Sequence, residues 1–77
     1  MEQFGTKLRA MRAMQELSQG ELAKRSGVSV PLLSFIESGA VPARETRQAI
    51  MDALDWTPEI DAHLDAVVTI QPEEVVA

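Results

Sequence analysis

Apolar residues recur every three or four positions along most of the chain, and polar residues fill the positions between them. That spacing is typical of amphipathic helices, because the residues of a half-buried strand would alternate at every second position. The pattern predicts five helices, at about residues 4–15, 19–25, 30–38, 43–54 and 57–67. The chain is therefore predicted to be an all-α domain.

Each predicted helix has one apolar stripe, and the stripes together are predicted to form the core. Trp56, between the last two helices, is predicted to anchor both of them in that core. On the first helix, Lys7, Arg9 and Gln15 are predicted to face away from the core. The predicted core positions are Phe4, Leu8, Met11, Met14, Leu22, Ala23, Leu33, Ile36, Ala49 or Ala53, Ile50, Leu54, Ile60, Leu64, and Val67 or Val68.

The middle of the chain has the start and stop signals of two short helices joined by a tight turn. Ser18 and Glu21 have the spacing of a capping box, in which each side chain bonds the other residue's backbone amide. Gly27 can adopt the left-handed conformation of a turn without steric strain. Ser29 then caps a further helix, which Gly39 ends. These signals predict a helix-turn-helix.

The chain shows neither an internal repeat nor a linker, so one domain is predicted over residues 1–67. The fifth helix has a clear start, because Thr57 can cap it and Pro58 suits its first turn. Residues 68–77 hold a β-branched patch, a proline and two glutamates. They are predicted to form a C-terminal tail that is disordered or that pairs across a dimer.

The formal net charge of −5 is unevenly distributed along the chain. All seven lysines and arginines precede residue 48, together with five of the twelve acids, which gives that part a net charge of +2. The remainder carries −7. Two interpretations are open: the basic part has a face that tolerates phosphates, or the acidic part is a solvated tail that keeps the protein in solution.

The composition argues against an enzyme, a metalloprotein and a membrane protein. The chain has no cysteine to act as a nucleophile or metal ligand, and no glycine-rich phosphate loop. Its single histidine, His63, is predicted to be solvated on the outer side of the fifth helix. No apolar run approaches the roughly 20 residues of a membrane span, and no signal peptide is evident. A cytoplasmic protein without a cofactor, a metal or a small-molecule ligand is expected.

Four motifs follow one another along the chain: Arg12, SQGELA at residues 18–23, GVS at 27–29 and ESG at 37–39. In this order and at this spacing they resemble the Cro and phage-repressor helix-turn-helix family, also called XRE, over about residues 6–65. The resemblance implies a compact five-helix repressor-like domain, with the helix-turn-helix formed by helices 2 and 3. It also implies sequence-specific DNA binding in the regulation of transcription.

The resemblance assigns roles to particular residues. Arg12 and Glu37 would form a structural ion pair that ties the first helix to the end of the third. Gln19, at the start of the second helix, would meet a phosphate of a double-stranded DNA operator. Helix 3 would lie in the major groove. The residues it would bring to base edges are Ser29, Val30, Pro31, Leu32, Ser34 and Phe35, and candidate phosphate neighbours elsewhere are Lys24, Arg44 and Arg47.

Helix 3 departs from the family at the positions that would face the bases. The family commonly has glutamine, asparagine, arginine or lysine there, whereas this chain has Val30, Pro31, Leu32 and Phe35. One hypothesis is that Val30 and Phe35 contact thymine methyl groups while the neighbouring serines make adaptable hydrogen bonds. The alternative hypothesis is an antitoxin-like or anti-activator module, whose exposed apolar residues bind a protein instead of DNA.

Helix-turn-helix domains usually bind paired half-sites, so a homodimer is expected and the protein is predicted to be a small dimeric repressor. A chain of 77 residues is not expected to hold a sensor or activation domain as well. Its control is therefore expected to come from its own abundance or from a protein partner. The fifth helix and the tail are expected to supply the dimer contact, for which the candidates are Ile60, Leu64, Val67, Val68 and Ile70.

Overall fold

The computed structural model describes residues 3–69, and the side chains of residues 3–66. Every regular element in that part of the chain is a helix, which confirms the predicted all-α class. The helix ends lie within two residues of the predicted ones, and the predictions for residues 70–77 lie outside the described residues. The helices are α1 (Phe4–Met14), α2 (Gln19–Ser26), α3 (Val30–Glu37), α4 (Arg44–Ala53) and α5 (Pro58–Thr69).

None of the helices within residues 3–69 combines the length and the apolar character that crossing a membrane requires. The longest of them, α5, has 12 residues and contains acidic side chains in its first turn. The fold is built instead on packing between short helices. The packed pairs are α1 with α3, α1 with α5, α2 with α3, and α2 with α4.

The predicted start and turn of the helix-turn-helix are confirmed in the backbone geometry. The Ser18 hydroxyl accepts from the Glu21 amide at 3.0 Å, and the Glu21 carboxylate accepts from the Ser18 amide at 2.8 Å. Hydrogen bonds from Ser18 to the Glu21 carboxylate lower the pKa of Glu21, the one from the Ser18 backbone amide most of all. Gly27 ends α2 with φ at +79°. The Ser29 hydroxyl accepts from the Leu32 amide at 3.3 Å, which caps α3.

Two other helices end in a left-handed residue that is not glycine. Glu16 after α1 has φ at +54°, and Asp55 after α4 has φ at +53°. In each turn the next amide reaches back to the helix: Leu17 donates to the Arg12 carbonyl at 2.9 Å, and Trp56 donates to the Met51 carbonyl at 2.9 Å. This is the Schellman arrangement, in which the residue after the left-handed one packs against the helix. The turns therefore place the side chains of Leu17 and Trp56 in the core.

The core draws residues from all five helices and from the turns between them. Trp56 is 5% exposed and stacks on Phe4 with ring centroids 4.9 Å apart, so its predicted role as a core anchor is confirmed. The prediction for Met14 is wrong, because its side chain is 62% exposed while Leu17, brought back by the turn, fills the core at that end of α1. The buried apolar residues are Phe4, Leu8, Met11, Leu17, Leu22, Val28, Leu33, Ile36, Ile50, Leu54, Trp56 and Leu64.

Gly5 allows α1 and α3 to approach each other closely. A Cβ atom at this position would overlap the carbonyl oxygen of Ile36 and would lie 3.1 Å from the Cα of Glu37. Both neighbouring atoms belong to the α3 backbone, which cannot move aside as a flexible side chain could. The absence of a side chain at Gly5 therefore sets the distance between α1 and the C-terminal end of α3.

Gly5→Ala is expected to destabilise the fold by about 1–3 kcal/mol, because the overlap with α3 exceeds the gain in helix propensity. Gly20→Ala on α2 is the matched control. A Cβ there would meet nothing closer than the Ser18 hydroxyl at 3.7 Å. That variant is expected to be neutral or stabilising by up to about 1 kcal/mol. Urea unfolding measures the free energy of unfolding of both variants, which should change in opposite directions. Equal changes would contradict the close approach of α1 to α3.

The prediction that Lys7 faces away from the core is wrong. The residue is 8% exposed, and its Nζ lies 3.2 Å from an Asp61 carboxylate oxygen and 3.0 Å from an Asp65 carboxylate oxygen. The same Asp61 oxygen accepts from the Trp56 indole at 3.2 Å. The methylene stem of a lysine can cover apolar surface while its ammonium reaches a charged partner. Lys7 thus joins α1 to α5.

The pKa of Lys7 is raised above its ordinary value of 10.5. Burial by itself would lower it, but the hydrogen bonds and charges of Asp65 and Asp61 together outweigh burial. A raised pKa in the folded state means that the ion pairs stabilise the fold fully below the pKa of the unfolded chain. This stabilisation is lost as the pH rises through the pKa of the folded state.

Lys7→Met is expected to lower the free energy of unfolding by about 1 kcal/mol at neutral pH, a modest effect because both aspartates keep contact with water. The difference from wild type should shrink as the pH rises from about 9 to about 12. The chain has no tyrosine, and Lys24 is its one other lysine, so few other groups titrate in this range. Lys24→Met is the control, and its free energy of unfolding is expected to match that of wild type throughout this pH range. Urea unfolding at several pH values measures both, and a constant difference for Lys7→Met would contradict this account.

Candidate nucleic-acid interface

The side of α3 that faces solvent carries large apolar side chains. Val30 and Leu32 are each 39% exposed, Phe35 is 66% exposed, and Pro31 is exposed between them. We call these four residues the apolar face of α3. The opposite side of the helix holds the core residues, so capping and packing together fix which residues point outward. Ser29 and Ser34 are also exposed and flank the apolar face.

Arg12 and Glu37, expected to pair from the family resemblance, are brought together in the structure. The Arg12 guanidinium donates to both carboxylate oxygens of Glu37, at 2.7 and 3.0 Å, and to the carbonyl of Leu17 at 2.7 Å. The two side chains are 19% and 8% exposed, respectively. The hydrogen bond to Glu37 raises the pKa of Arg12. The pair therefore links α1, the turn after it and the last residue of α3.

Gln19 lies at the same junction, at the first position of α2. Its side-chain amide nitrogen donates to a Glu37 carboxylate oxygen at 3.1 Å. An amide nitrogen has two hydrogens, so this bond orients the Gln19 side chain and leaves a second N–H for another acceptor. Glu37 thus accepts hydrogen bonds from α1 and from α2. These bonds hold the last turn of α3 against both helices.

An open cleft of about 350 Å³ lies between α1 and α3, next to the start of α2. We call it the α1–α3 cleft. Ser34 belongs both to this cleft and to the exposed side of α3, so the cleft continues into the surface that flanks the apolar face. The residues that line it are Arg9, Arg12, Gln19, Ser34, Glu37 and Ser38.

For Arg9 the sequence predicts only that the side chain faces away from the core. The structure shows an exposed side chain that lines the α1–α3 cleft. A signal was present in the sequence, because Arg9 and Arg12 are three residues apart and residues at this spacing are neighbours on a helix surface. What the sequence does not contain is the position of α3 relative to that side of α1.

The three candidate phosphate neighbours lie in different surroundings. Lys24 on α2 and Arg44 at the start of α4 are exposed. Arg47 is half-buried, and its guanidinium carbon lies 4.7 Å from the centroid of the Phe4 ring. Such a cation–π contact holds the Arg47 side chain against the surface of α1. Lys24 and Arg44 are therefore more accessible to an approaching phosphate than Arg47 is.

The residues expected to form the dimer contact differ in their exposure to solvent. Leu64 is 3% exposed and lies in the core, so its side chain is already covered within one protomer. Ile60 is half-buried and packs against that core. The side chains of Val67, Val68 and Ile70 lie outside the described residues. Ile60 is the one candidate among the described side chains that offers surface to a second copy.

His63 is exposed on α5, as its position in the sequence predicted. Among the described residues, no group of three or more histidines and carboxylates is arranged so that it could hold a metal ion. The polar side chains of the α1–α3 cleft and the apolar face of α3 lie next to each other, and together they form the candidate interface.

Comparison with known proteins supports the assignment of these elements. A protein-family model described as a helix-turn-helix domain matches residues 3–64. The chain is 43% identical over 56 residues to the HTH-type transcriptional repressor RghR of Bacillus subtilis (strain 168), an alignment that covers 70% of this chain and 42% of that protein. The chain thus spans less than half the length of this curated relative. No solved structure matches the chain in the same kind of comparison. The chain belongs to the helix-turn-helix domain family, and it is of the XRE type.

Proposed function

We propose that this domain regulates transcription by binding a double-stranded DNA operator, with α3 in the major groove, and that it acts as a repressor. The observation that carries the proposal is the exposed side of α3, which two capped helix starts and the Arg12–Glu37 pair hold in one position. In a helix-turn-helix the second helix enters the groove and its first turn faces the bases. The related protein is named a repressor, and the family favours a regulator over an enzyme.

Base recognition would rest on apolar contacts more than on paired hydrogen bonds. The C5 methyl of thymine projects into the major groove, and apolar side chains distinguish it from the other bases there. Val30 and Phe35 are the candidates for this contact, since both are exposed on α3. Ser29 caps the helix through its oxygen and still has a hydroxyl proton to donate. The Ser34 hydroxyl on the same surface makes no hydrogen bond within residues 3–66.

Phosphate contacts would fix the register of the domain on the duplex. Gln19 is the first candidate, because its side chain is held beside α3 by Glu37 and has a second N–H. Lys24 and Arg44 are exposed and can supply charge at the edges of the interface. Arg47 would contribute through long-range attraction while it stays over Phe4.

A homodimer would be the binding unit, because one small module buries too little surface for tight binding to DNA. Ile60 and the part of α5 beyond the described side chains are the proposed contact. The acidic residues of α5 would oppose close approach of two copies, so the dimer would form on paired half-sites. Light scattering with and without operator tests this, and a monomer mass in both states would contradict it.

The experiment that tests the proposed function is fluorescence anisotropy with a labelled duplex. The duplex comes from the region upstream of the gene for this protein, and a scrambled duplex of equal composition is the control. At least about a hundredfold preference for the first duplex, with affinity that falls as salt rises, would establish a specific DNA-binding regulator. Equal and weak binding to both duplexes would contradict the proposal.

A second candidate function rests on the same exposed residues. Phe35 is 66% exposed beside Val30, Pro31 and Leu32, and exposed apolar residues clustered on one helix often bind a protein. In this alternative the domain is an antitoxin-like or anti-activator module. Absence of specific DNA binding, together with loss of a protein complex in Phe35→Ala, would favour this alternative over the repressor.

A further inference from the structure

We propose that the α1–α3 cleft holds a backbone phosphate of bound DNA, with Arg9 as the residue that supplies the positive charge. This inference rests on the proposed function, because the phosphate belongs to the duplex whose major groove α3 would enter. It goes beyond that function by assigning a site to the cleft and a role to a residue of α1, a helix outside the helix-turn-helix.

The hydrogen-bond donors of the cleft point to an anion of this kind. The Arg9 side chain is exposed, and its guanidinium forms no hydrogen bond or ion pair with the described side chains of residues 3–66. Gln19 has a second N–H beyond the one given to Glu37. Ser34 supplies a hydroxyl, whereas the Ser38 hydroxyl already donates to the Ser34 carbonyl at 3.0 Å. Three donors on three helices therefore face one space.

The charge of the cleft also favours an anion, although a carboxylate lines it. Glu37 accepts two hydrogen bonds from Arg12 and one from Gln19, so its negative charge is matched by the Arg12 guanidinium. Arg12 in turn is held by Glu37 and by the Leu17 carbonyl and cannot turn toward a ligand without losing those bonds. Among the described side chains of residues 3–66, the charge in the cleft that has no partner is that of Arg9. A guanidinium fits phosphate oxygens well, because it presents parallel N–H groups.

The position of the cleft selects a phosphate of DNA over a free anion. Ser34 lies in the cleft and is the residue before Phe35, so the cleft borders the helix face that would read the bases. The backbone of a duplex runs along both edges of its major groove, at the distance that a helix flank reaches. A single exposed guanidinium in an open cleft holds a lone anion weakly, whereas a phosphate that is part of a bound duplex is kept there by the other contacts.

Arg9→Gln is expected to weaken binding to operator and to scrambled duplex by the same factor, roughly three- to tenfold at moderate salt, because a phosphate contact carries no sequence information. The slope of log affinity against log salt should fall by about one. Arg25→Gln is the matched control, since Arg25 is an exposed arginine that does not line the cleft. It should leave the slope nearly unchanged. Equal urea midpoints for both variants and wild type would show that the fold is intact.

A duplex with one neutral methylphosphonate linkage, moved stepwise along each strand, locates the phosphate. One linkage in each half-site should weaken wild-type binding and have no further effect on Arg9→Gln, because the two changes remove the same contact. If Arg9→Gln matches Arg25→Gln in salt slope, or if no linkage couples to Arg9, the inference is overturned while DNA binding stands. If wild type binds no duplex at all, the proposed function and this inference both fail.

Discussion

Arg12→Ala is expected to lower the free energy of unfolding by about 3–5 kcal/mol, the range seen when one partner of a buried ion pair is removed. The Glu37 side chain is 8% exposed and would lose the two hydrogen bonds that match its charge. The Leu17 carbonyl would lose a donor as well. A domain of this size has about 4–12 kcal/mol of stability in total, so a large share of the molecules would unfold on mild heating. Urea unfolding followed by Trp56 fluorescence measures the change.

Two further variants separate the buried ion pair from charge in general. Arg9→Ala removes an exposed arginine from the same helix and should change stability by less than about 0.5 kcal/mol. The double variant Arg12→Met with Glu37→Met removes both charges and should recover much of the loss, because no uncompensated carboxylate stays buried. A loss below about 1 kcal/mol for Arg12→Ala would mean that water reaches Glu37 and that the pair does not hold α1 to α3.

The parts of the fold that could be predicted from the sequence are those set by neighbouring residues. The capping box at Ser18 and the left-handed turn at Gly27 depend on residues within one turn of each other, and both are present. The turns at Glu16 and Asp55 could not be predicted in the same way, because the residue type there does not mark a left-handed conformation. The packing of the chain imposes that conformation. Met14 was misplaced for this reason, since the turn at Glu16 brings Leu17 into the core in its stead.

Residues whose role depends on another helix were the hardest to predict. Lys7 is buried because Asp61 and Asp65, more than 50 positions away in sequence, are packed beside it through α5. The α1–α3 cleft has the same origin. The cleft depends on the distance between α1 and α3, and the contact of Gly5 with the α3 backbone sets that distance. No local sequence pattern reveals this contact. By contrast, the solvent exposure of Phe35 follows from helix period alone, because residues on either side of the buried stripe must point outward.

Phe35→Ala is expected to weaken operator binding by about 10- to 100-fold while the urea midpoint stays unchanged. The side chain is 66% exposed, so its loss removes little from the core. Burial of an aromatic ring against bases contributes about 1.5–3 kcal/mol, which corresponds to that factor in affinity. Met14→Ala is the matched control, because Met14 is 62% exposed and lies on α1. Anisotropy titration with operator and scrambled duplexes measures both variants.

The DNA can be changed at the atoms that Phe35 and Val30 would contact. Replacing a thymine by deoxyuridine removes the C5 methyl and leaves the base-pairing groups and the phosphate in place. Each contacted methyl should contribute about 0.8 kcal/mol, or roughly a fourfold loss of affinity when it is absent. For Phe35→Ala, deoxyuridine in place of the thymine that faces residue 35 should cause no further loss of affinity, because the two changes remove the same contact. If deoxyuridine has no effect at any position, methyl recognition is excluded. If Phe35→Ala also leaves DNA binding intact, the apolar face of α3 is free to bind a protein.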